Sequence, residues 1–263
     1  MSATSVFDQW RGRRRAGDAT ATLIDLYTLV ARPRGLEPWE LPVSERLDLS
    51  ARALPEIWPG FELVPNSGRG ADPMTLVPYN PEWPRRFEAW RTRLAAALHL
   101  PAERVRHVGS TAVPGLLSKD TVDVQVSVDD IRDEGGYVEA IEALGVQLRS
   151  RDDLHRYFRP FAGRTRDVHV HVCDARSVWA RRHLLFVAYL RQESAARDRY
   201  AQEKLAALGR WADDRAAYTE AKDAVIRQIQ AQAEAWAHAT GWTVIGDGRS
   251  SGLWRLLGDQ NGR

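Results

Sequence analysis

The sequence contains very little cysteine: Cys173 is the single one among 263 residues. One thiol cannot form an internal disulfide, and it excludes a zinc site built from several cysteines. A chain with so little cysteine is typical of a reducing compartment, so we expect a cytoplasmic location. Cys173 itself is expected to be a small core or edge residue at the end of a strand.

Long apolar runs and an excess of one charge are also missing. No apolar run approaches the ~20 residues that a membrane-spanning helix needs, so we expect no membrane partner. The first 18 residues carry basic side chains with no apolar stretch after them, which argues against a secretory signal. The 37 Lys+Arg and 35 Asp+Glu leave a formal net charge of +2, and this balance disfavours a nucleic-acid partner.

Apolar periodicity and turn residues divide the chain into four parts. Residues 1–18 are polar and Arg-rich, and they are predicted to be disordered. Residues 19–72 are predicted to form a helical N-terminal extension, which ends in a linker rich in Pro, Gly and Asn. The main domain is expected over residues 73–242, followed by a C-terminal tail over 243–263. The extension could cover a cleft or mediate a homodimer, and the sequence leaves both open.

The main domain shows the element order of an α+β fold. Strands are predicted at 74–77, 104–108, 121–128, 146–150, 156–160 and 167–173. Helices are predicted after Asn80 and over 133–144, 178–190, 194–208 and 218–240. Valines alternate with polar residues in the strands at 121–128 and 167–173. We therefore expect a mixed β-sheet with helices on its valine face and a C-terminal helical bundle beside it.

A turn between two predicted strands has the features of a phosphate-binding loop. Gly109 allows a sharp turn, and the next N–H groups together with the hydroxyls of Ser110 and Thr111 could cradle a phosphate. Lys119 could place a positive charge on that phosphate. Asp123 lies in the middle of the next strand, where a carboxylate could hold a nucleotide-bound Mg²⁺. The structural alternative is an ordinary strand–turn–strand connection.

A second group of candidates lies on the predicted strand at 167–173. Side chains alternate along a strand, so Asp167, His169 and His171 are expected on one face, close to Asp123 if the two strands pair. Two imidazoles beside a carboxylate suit Zn²⁺, Mn²⁺ or Fe²⁺. Alternatively, the histidines hydrogen-bond Asp123 and hold it in place, or they bind phosphate as imidazolium ions.

The sequence resembles the GrpB family, a branch of the nucleotidyltransferase-like superfamily. The resemblance begins with His107–Leu116 (HVGSTAVPGL) and continues through Lys119 and Asp123. It extends to the His169-Val170-His171 strand and to the C-terminal helices, and it covers about residues 76–240. It implies the minimal nucleotidyltransferase fold. Relatives joined to dephospho-coenzyme A kinase are also known in this family, but this sequence has no Gly-rich loop ending in Gly-Lys-Ser/Thr.

The candidate residues and the resemblance together lead to a first hypothesis, which is an enzyme with a defined set of site residues. The expected enzyme binds a nucleoside triphosphate with Mg²⁺ or Mn²⁺ and transfers a nucleotidyl group to an unknown small-molecule acceptor. Asp123, His169 and His171 would be catalytic, and the same three residues with Asp167 would hold the metal. The remaining candidates would bind nucleotide or phosphate: Gly109, Ser110, Thr111, Lys119, Arg156, Arg191, Lys204, Tyr218 and Lys222.

For two of those candidates, a purely structural role is at least as well supported by the sequence as nucleotide binding. Arg156 could reach a triphosphate or lie on a solvated strand face. Tyr218 could stack on a base or simply pack between helices, and the second interpretation is favoured.

One position departs from the pattern of active nucleotidyltransferases. Those enzymes usually follow the Gly-Ser turn with two carboxylates at Asp-x-Asp or Asp-x-Glu spacing, whereas this chain has Asp123-Val124-Gln125. A neutral amide is a weak substitute for a carboxylate ligand, which weakens two-metal phosphoryl chemistry. This feature favours an alternative in which the protein is a nucleotide- or phosphometabolite-binding module without turnover. A His/Asp metal-dependent enzyme of another class is the third possibility.

Overall fold

The computed structural model describes residues 3–64 and 74–244. Within these ranges, six strands form one mixed sheet in the order β1-β4-β5-β6-β3-β2. The strands are β1 Glu62–Leu63, β2 Val105–Val108, β3 Val122–Val128, β4 Val146–Arg151, β5 Arg156–Pro160 and β6 Val168–Asp174. Strands β3 and β6 are parallel neighbours, and the other paired strands are antiparallel.

The valines of β3 and β6 form the core face of the sheet, as the alternation predicts. Val122, Val124, Val168 and Val170 are fully buried, and they pack in one cluster with apolar residues of a covering helix. That helix is α4, Trp83–Ala97, whose buried residues recur every three or four positions: Trp83, Phe87, Trp90 and Leu94. Because side chains alternate along a strand, the polar residues of β3 and β6 are left on the opposite face.

Helices after β6 form the C-terminal bundle. They are α6 Val178–Gln192, α7 Ser194–Trp211, α8 Arg215–Ala221 and α9 Asp223–Thr240. The single helix predicted at 218–240 is therefore two helices that meet at Lys222. Asp214 begins α8 because its carboxylate accepts the backbone N–H groups of Ala216 and Ala217, a strong N-cap arrangement. Together with the mixed sheet and its helix-covered face, the bundle confirms the expected fold class.

The prediction of disorder over residues 1–18 is wrong for most of that segment. Residues Ala3–Arg15 form helix α1, followed by α2 Leu23–Ala31 and α3 Val43–Ile57. Val6, Phe7 and Trp10 lie at helical spacing and are buried in the cluster of the N-terminal helices. The Trp10 indole N–H also donates to the Thr22 carbonyl, 2.8 Å away. The arginines that follow Trp10 mask the apolar stripe in the sequence.

Two further expectations need correction. Residues 74–77 make no regular strand and contribute only an isolated bridge between Val77 and Ser118. The helix expected at 133–144 is reduced to a 3₁₀ turn at Glu134–Gly136 and a short α5 at Val138–Glu142.

The Gly and Asn residues of the linker at 65–73 and the tail beyond residue 244 lie outside the described residues. None of the helices described is both long and apolar enough to cross a membrane.

Candidate functional site

Strands β3 and β6 bring Asp123, His169 and His171 together. Their parallel register places Asp123 opposite His169, and Gln125 opposite His171. The Asp123 Oδ1 atom lies 3.1 Å from His169 Nδ1 and 3.5 Å from His171 Nε2. The three side chains remain 26%, 23% and 19% exposed, so solvent reaches them. The pairing of the two strands, on which the predicted site depended, is thus present.

The turn after β2 is built against the Asp123 carboxylate. Gly109 has φ +70° and ψ −171°, a backbone conformation that residues other than glycine rarely adopt. A Cβ atom at this position would lie 2.2 Å from Asp123 Oδ2. Gly109 is therefore required both by its backbone conformation and by its contact with the carboxylate. The next residue, Ser110, begins a 3₁₀ turn.

Thr111 does not line the cleft, contrary to the expectation that its hydroxyl binds phosphate. Its side chain is fully buried, and its Oγ1 lies 3.0 Å from His107 Nε2. The His107 ring stacks on Phe87 of α4 with a centroid separation of 4.7 Å. Burial lowers the pKa of His107 to about 4, so the ring is neutral near pH 7. These contacts give His107 and Thr111 the role of supporting the turn.

Two lysines form a cationic flank beside the three-residue cluster. The Lys119 and Lys222 Nζ atoms lie 4.6 and 4.1 Å from the centre of the Tyr218 ring. Burial, with repulsion from Lys222, lowers the pKa of Lys119 to about 7. Burial lowers the pKa of Lys222 to about 8 despite the favourable charge of Asp123. Two lysines against the same ring in a half-buried setting favour the binding of an anion.

Tyr218 and Lys204 support this flank and do not offer free binding groups. Tyr218 is 1% exposed, so its ring packs in the core, in agreement with the favoured interpretation of the sequence. Lys204 is buried as well, and its Nζ donates to the Leu117 carbonyl at 2.5 Å. This bond ties α7 to the segment between the Gly109 turn and Lys119.

Three other sequence candidates lie away from the cluster. Arg156 projects from the opposite face of β5 and pairs with Glu134, with Nε 2.5 Å from Oε1. Arg191 donates from Nε to the Ala112 carbonyl at 2.9 Å, so it braces the turn. Asp167 precedes β6 and lines a shallow groove with Trp90 and other residues of the helix-covered side. Strand alternation does not extend back to Asp167, and the prediction that it is a third carboxylate at the site is wrong.

Residues of the β4–β5 hairpin and of α6, which were not predicted from the sequence, also contact the site. His155 Nε2 lies 2.9 Å from His171 Nδ1, and the His155 ring stacks on Trp179. Tyr157 is paired with His171 across the sheet, with ring centroids 5.4 Å apart. The signal in the sequence is the alternation of His155, Tyr157 and Arg159. A strand predicted to begin at residue 156 leaves His155 out of this pattern.

Gln125 occupies the position where a second carboxylate would stand. Its side chain is fully buried, and neither amide atom has a hydrogen-bond partner among the described residues. Burying an unpartnered amide costs about 1–3 kcal/mol. The position is therefore polar and costly to maintain, yet it carries no charge for a second metal ion.

Asp123, His169 and His171 make a donor set that fits one divalent metal ion. Their candidate ligand atoms all lie within 4.8 Å of one another. Burial alone would raise the pKa of Asp123, but hydrogen bonds and charge from His169 and His171 outweigh it and hold the pKa well below its usual range. Burial lowers the pKa of His169, which favours the neutral imidazole that binds metals. An ionised carboxylate with imidazole nitrogens is typical of Mn²⁺, Fe²⁺ and Zn²⁺ sites.

The fold and this cluster define an α+β domain with a polar cluster on the face of a mixed sheet opposite its valine core. The family model described as GrpB protein matches residues 73–232. The chain therefore belongs to the GrpB family.

Comparison with individual proteins agrees with this assignment. The chain is 35% identical over 163 residues to a UPF0157 protein of Halalkalibacterium halodurans, covering 62% of this chain and 83% of the relative. It is 37% identical over 160 residues to a UPF0157 protein of Streptomyces coelicolor, with coverages of 61% and 84%. The crystal structure of conserved protein GrpB from Enterococcus faecalis matches with a TM-score of 0.54 and 28% identity, covering 62% of this chain and 99% of that one. These names state a family and no activity.

A relative with a named activity matches over part of its length. The dephospho-CoA kinase of Mycolicibacterium paratuberculosis is 31% identical over 200 residues, which cover 65% of this chain and 48% of the kinase. About half of that protein thus has a counterpart here.

Proposed function

We propose that the chain is a metal-dependent nucleotidyltransferase that binds a nucleoside triphosphate and transfers its nucleotidyl group to a small-molecule acceptor. One observation carries the proposal: the metal-type cluster of Asp123, His169 and His171 lies beside a Gly-Ser turn and two half-buried lysines. A metal site without cations beside it would suit many substrates. The pairing of an anionic metal site with a cationic flank suits a metal-bound polyphosphate.

Each group of residues has a distinct task in this proposal. Asp123, His169 and His171 would hold the divalent ion, which when bound would polarise a phosphoryl oxygen. The backbone at Ser110 would receive a phosphate, since the Gly109 turn brings the chain against Asp123. Lys119 and Lys222 would offset the charge of the phosphates and of the leaving pyrophosphate. The imidazole ligands favour Mn²⁺ over Mg²⁺, which prefers oxygen ligands.

Kinase activity is not part of the proposal. The matching dephospho-CoA kinase is about twice as long as its aligned part, and this sequence has no Gly-rich loop that ends in Gly-Lys-Ser/Thr.

A binding module without turnover is the second candidate, and Gln125 favours it. In two-metal phosphoryl transfer a second carboxylate helps to hold the ion that activates the attacking group. A buried amide at that position supplies no charge for it. Such a module would bind the nucleotide through the same residues and release no pyrophosphate.

Calorimetric titration of the protein with a nucleoside triphosphate, with Mn²⁺ or Mg²⁺ and without metal, tests the proposal. We expect binding that depends on metal and that Asp123→Ala abolishes while the protein stays folded. Asp167→Asn is the matched control, because this carboxylate lies outside the cluster and should leave binding unchanged. Pyrophosphate release in the presence of a metabolite extract then distinguishes the enzyme from the binding module. Binding that is unaffected by metal and by Asp123→Ala would contradict both.

A further inference from the structure

A series of polar contacts runs from the β4–β5 hairpin to the candidate metal ligand His171. The hairpin is closed by a bond from the Asp152 N–H to the His155 carbonyl, 3.0 Å. The Leu154 N–H donates to Asp152 Oδ1 at 2.8 Å, which fixes the carboxylate. The other oxygen, Oδ2, lies 3.8 Å from His155 Nδ1. On the far side of the ring, His155 Nε2 lies 2.9 Å from His171 Nδ1.

Aromatic packing holds the middle of this series in place. The His155 ring stacks on Trp179 at 4.7 Å, with only 12° between the ring planes. On the same indole, His183 stacks at 3.8 Å, and its Nδ1 donates to the Trp179 carbonyl. The three rings form a stack that prevents His155 from turning away from His171. His183 is part of the stack but hydrogen-bonds no member of the cluster.

The order of these contacts, from Asp152 through His155 to His171, decides which nitrogen of His171 carries a proton. A neutral imidazole has one N–H, and a carboxylate only accepts hydrogen bonds. Asp152 therefore favours the proton of His155 on Nδ1, which leaves Nε2 as an acceptor. His171 must then donate from Nδ1. A histidine binds metal in its neutral form, and in that form the lone pair of His171 Nε2 faces Asp123 Oδ1, 3.5 Å away.

Two acceptors that face each other at this distance repel, and a cation between them removes the repulsion. We propose that Asp152 and His155 are positioning residues that fix the tautomer and the ring orientation of His171 toward a divalent transition metal at Asp123, His169 and His171. Outer partners of this kind commonly orient metal-bound histidines. The inference rests on the metal site of the proposed function and is independent of the nucleotide.

Metal binding by the full chain without nucleotide tests the proposal. Co²⁺ serves as the probe, because its visible absorption reports ligand geometry, and Mn²⁺ and Zn²⁺ affinities are measured by competition. His155→Phe keeps a flat ring against Trp179 and removes the nitrogen that pairs with His171. We expect it to weaken metal affinity about 10- to 100-fold and to alter the Co²⁺ spectrum. His155→Gln, which retains a hydrogen-bonding group, should restore part of the affinity.

His183→Phe is the matched control, since it changes the same stack on its other side and should leave metal affinity within about twofold. Asp152→Asn tests the contacts from Asp152 to His171 without changing the aromatic stack. If His155→Phe does not fold, Asp152→Asn alone tests the positioning role. The positioning role is overturned if Asp152→Asn and His155→Phe both leave the metal affinity and the Co²⁺ spectrum unchanged. If His171→Ala abolishes metal binding in the same experiment, the metal site itself is still supported. If the wild-type chain binds none of the three metals, the inference and the metal-dependent function both fail. If it binds metal but no nucleotide, only the proposed function fails.

Discussion

Replacement of Gly109 by alanine should damage the site far more than an ordinary glycine substitution. The added Cβ would lie 2.2 Å from Asp123 Oδ2, whereas ordinary contacts are 3.4–4 Å, so the carboxylate must move by about 1 Å. The backbone at φ +70° and ψ −171° adds strain. Strain and crowding together should cost about 2–4 kcal/mol of folding free energy. For a domain of this size we expect a fall in melting temperature of about 5–15 °C.

Gly115 provides the control, because it lies in the same connection with φ +79°, and a Cβ added there would meet no atom within 4 Å. Gly115→Ala should show the backbone cost alone, with metal affinity unchanged, whereas Gly109→Ala should lose at least about tenfold in Mn²⁺ affinity. A double-mutant cycle of Gly109→Ala with Asp123→Ala isolates the clash. If the carboxylate causes the damage, the double variant should be more stable than the sum of the single effects by about 1 kcal/mol or more. Strict additivity in thermal and urea unfolding would refute the argument.

Two other predictions concern the lysine flank and the N-terminal helices. Only protonated Lys119 and Lys222 attract phosphate, and their pKa values of about 7 and 8 lie below the ordinary 10.5. The affinity for inorganic tripolyphosphate should therefore fall as pH rises from 7 to 9, by up to about tenfold per pH unit for each lysine. Calorimetry at constant ionic strength measures this, and a flat profile would argue against the flank. Arg46→Met should destabilise the protein by about 3–5 kcal/mol in urea unfolding, since it leaves Asp214 buried without its cation. Arg34→Met, which breaks an exposed pair with Glu45, should have a much smaller effect.

Strand periodicity accounts for the part of the site that could be predicted. Alternation in β3 and β6 fixes which face carries Asp123, His169 and His171, and the pairing of the two strands then brings them together. These are properties of residues two apart on one strand, which a sequence shows directly. The turn at Gly109 was likewise marked by its residues, although the contact with Asp123 that makes glycine necessary was not.

Contacts between distant segments account for most of what was missed. Arg156 was considered for phosphate, yet its partner Glu134 lies 22 residues earlier and on the other side of the sheet. Lys204 looks like a surface lysine on α7 until the fold places the Leu117 carbonyl beside it. In α1 the error was compositional: four arginines closely follow Trp10, although its burial depends on α2 and α3. None of these outcomes follows from local propensity or alternation.

The two halves of the candidate site are supported by different parts of the molecule. The candidate metal ligands project from paired central strands. The lysine flank instead rests on Tyr218 of α8, which is buried in the same cluster as the N-terminal helices. The Tyr27 hydroxyl donates to Asp214, the residue that caps α8. The N-terminal extension therefore packs behind the lysine flank. This position favours a role in setting the affinity for phosphate over a role as a lid.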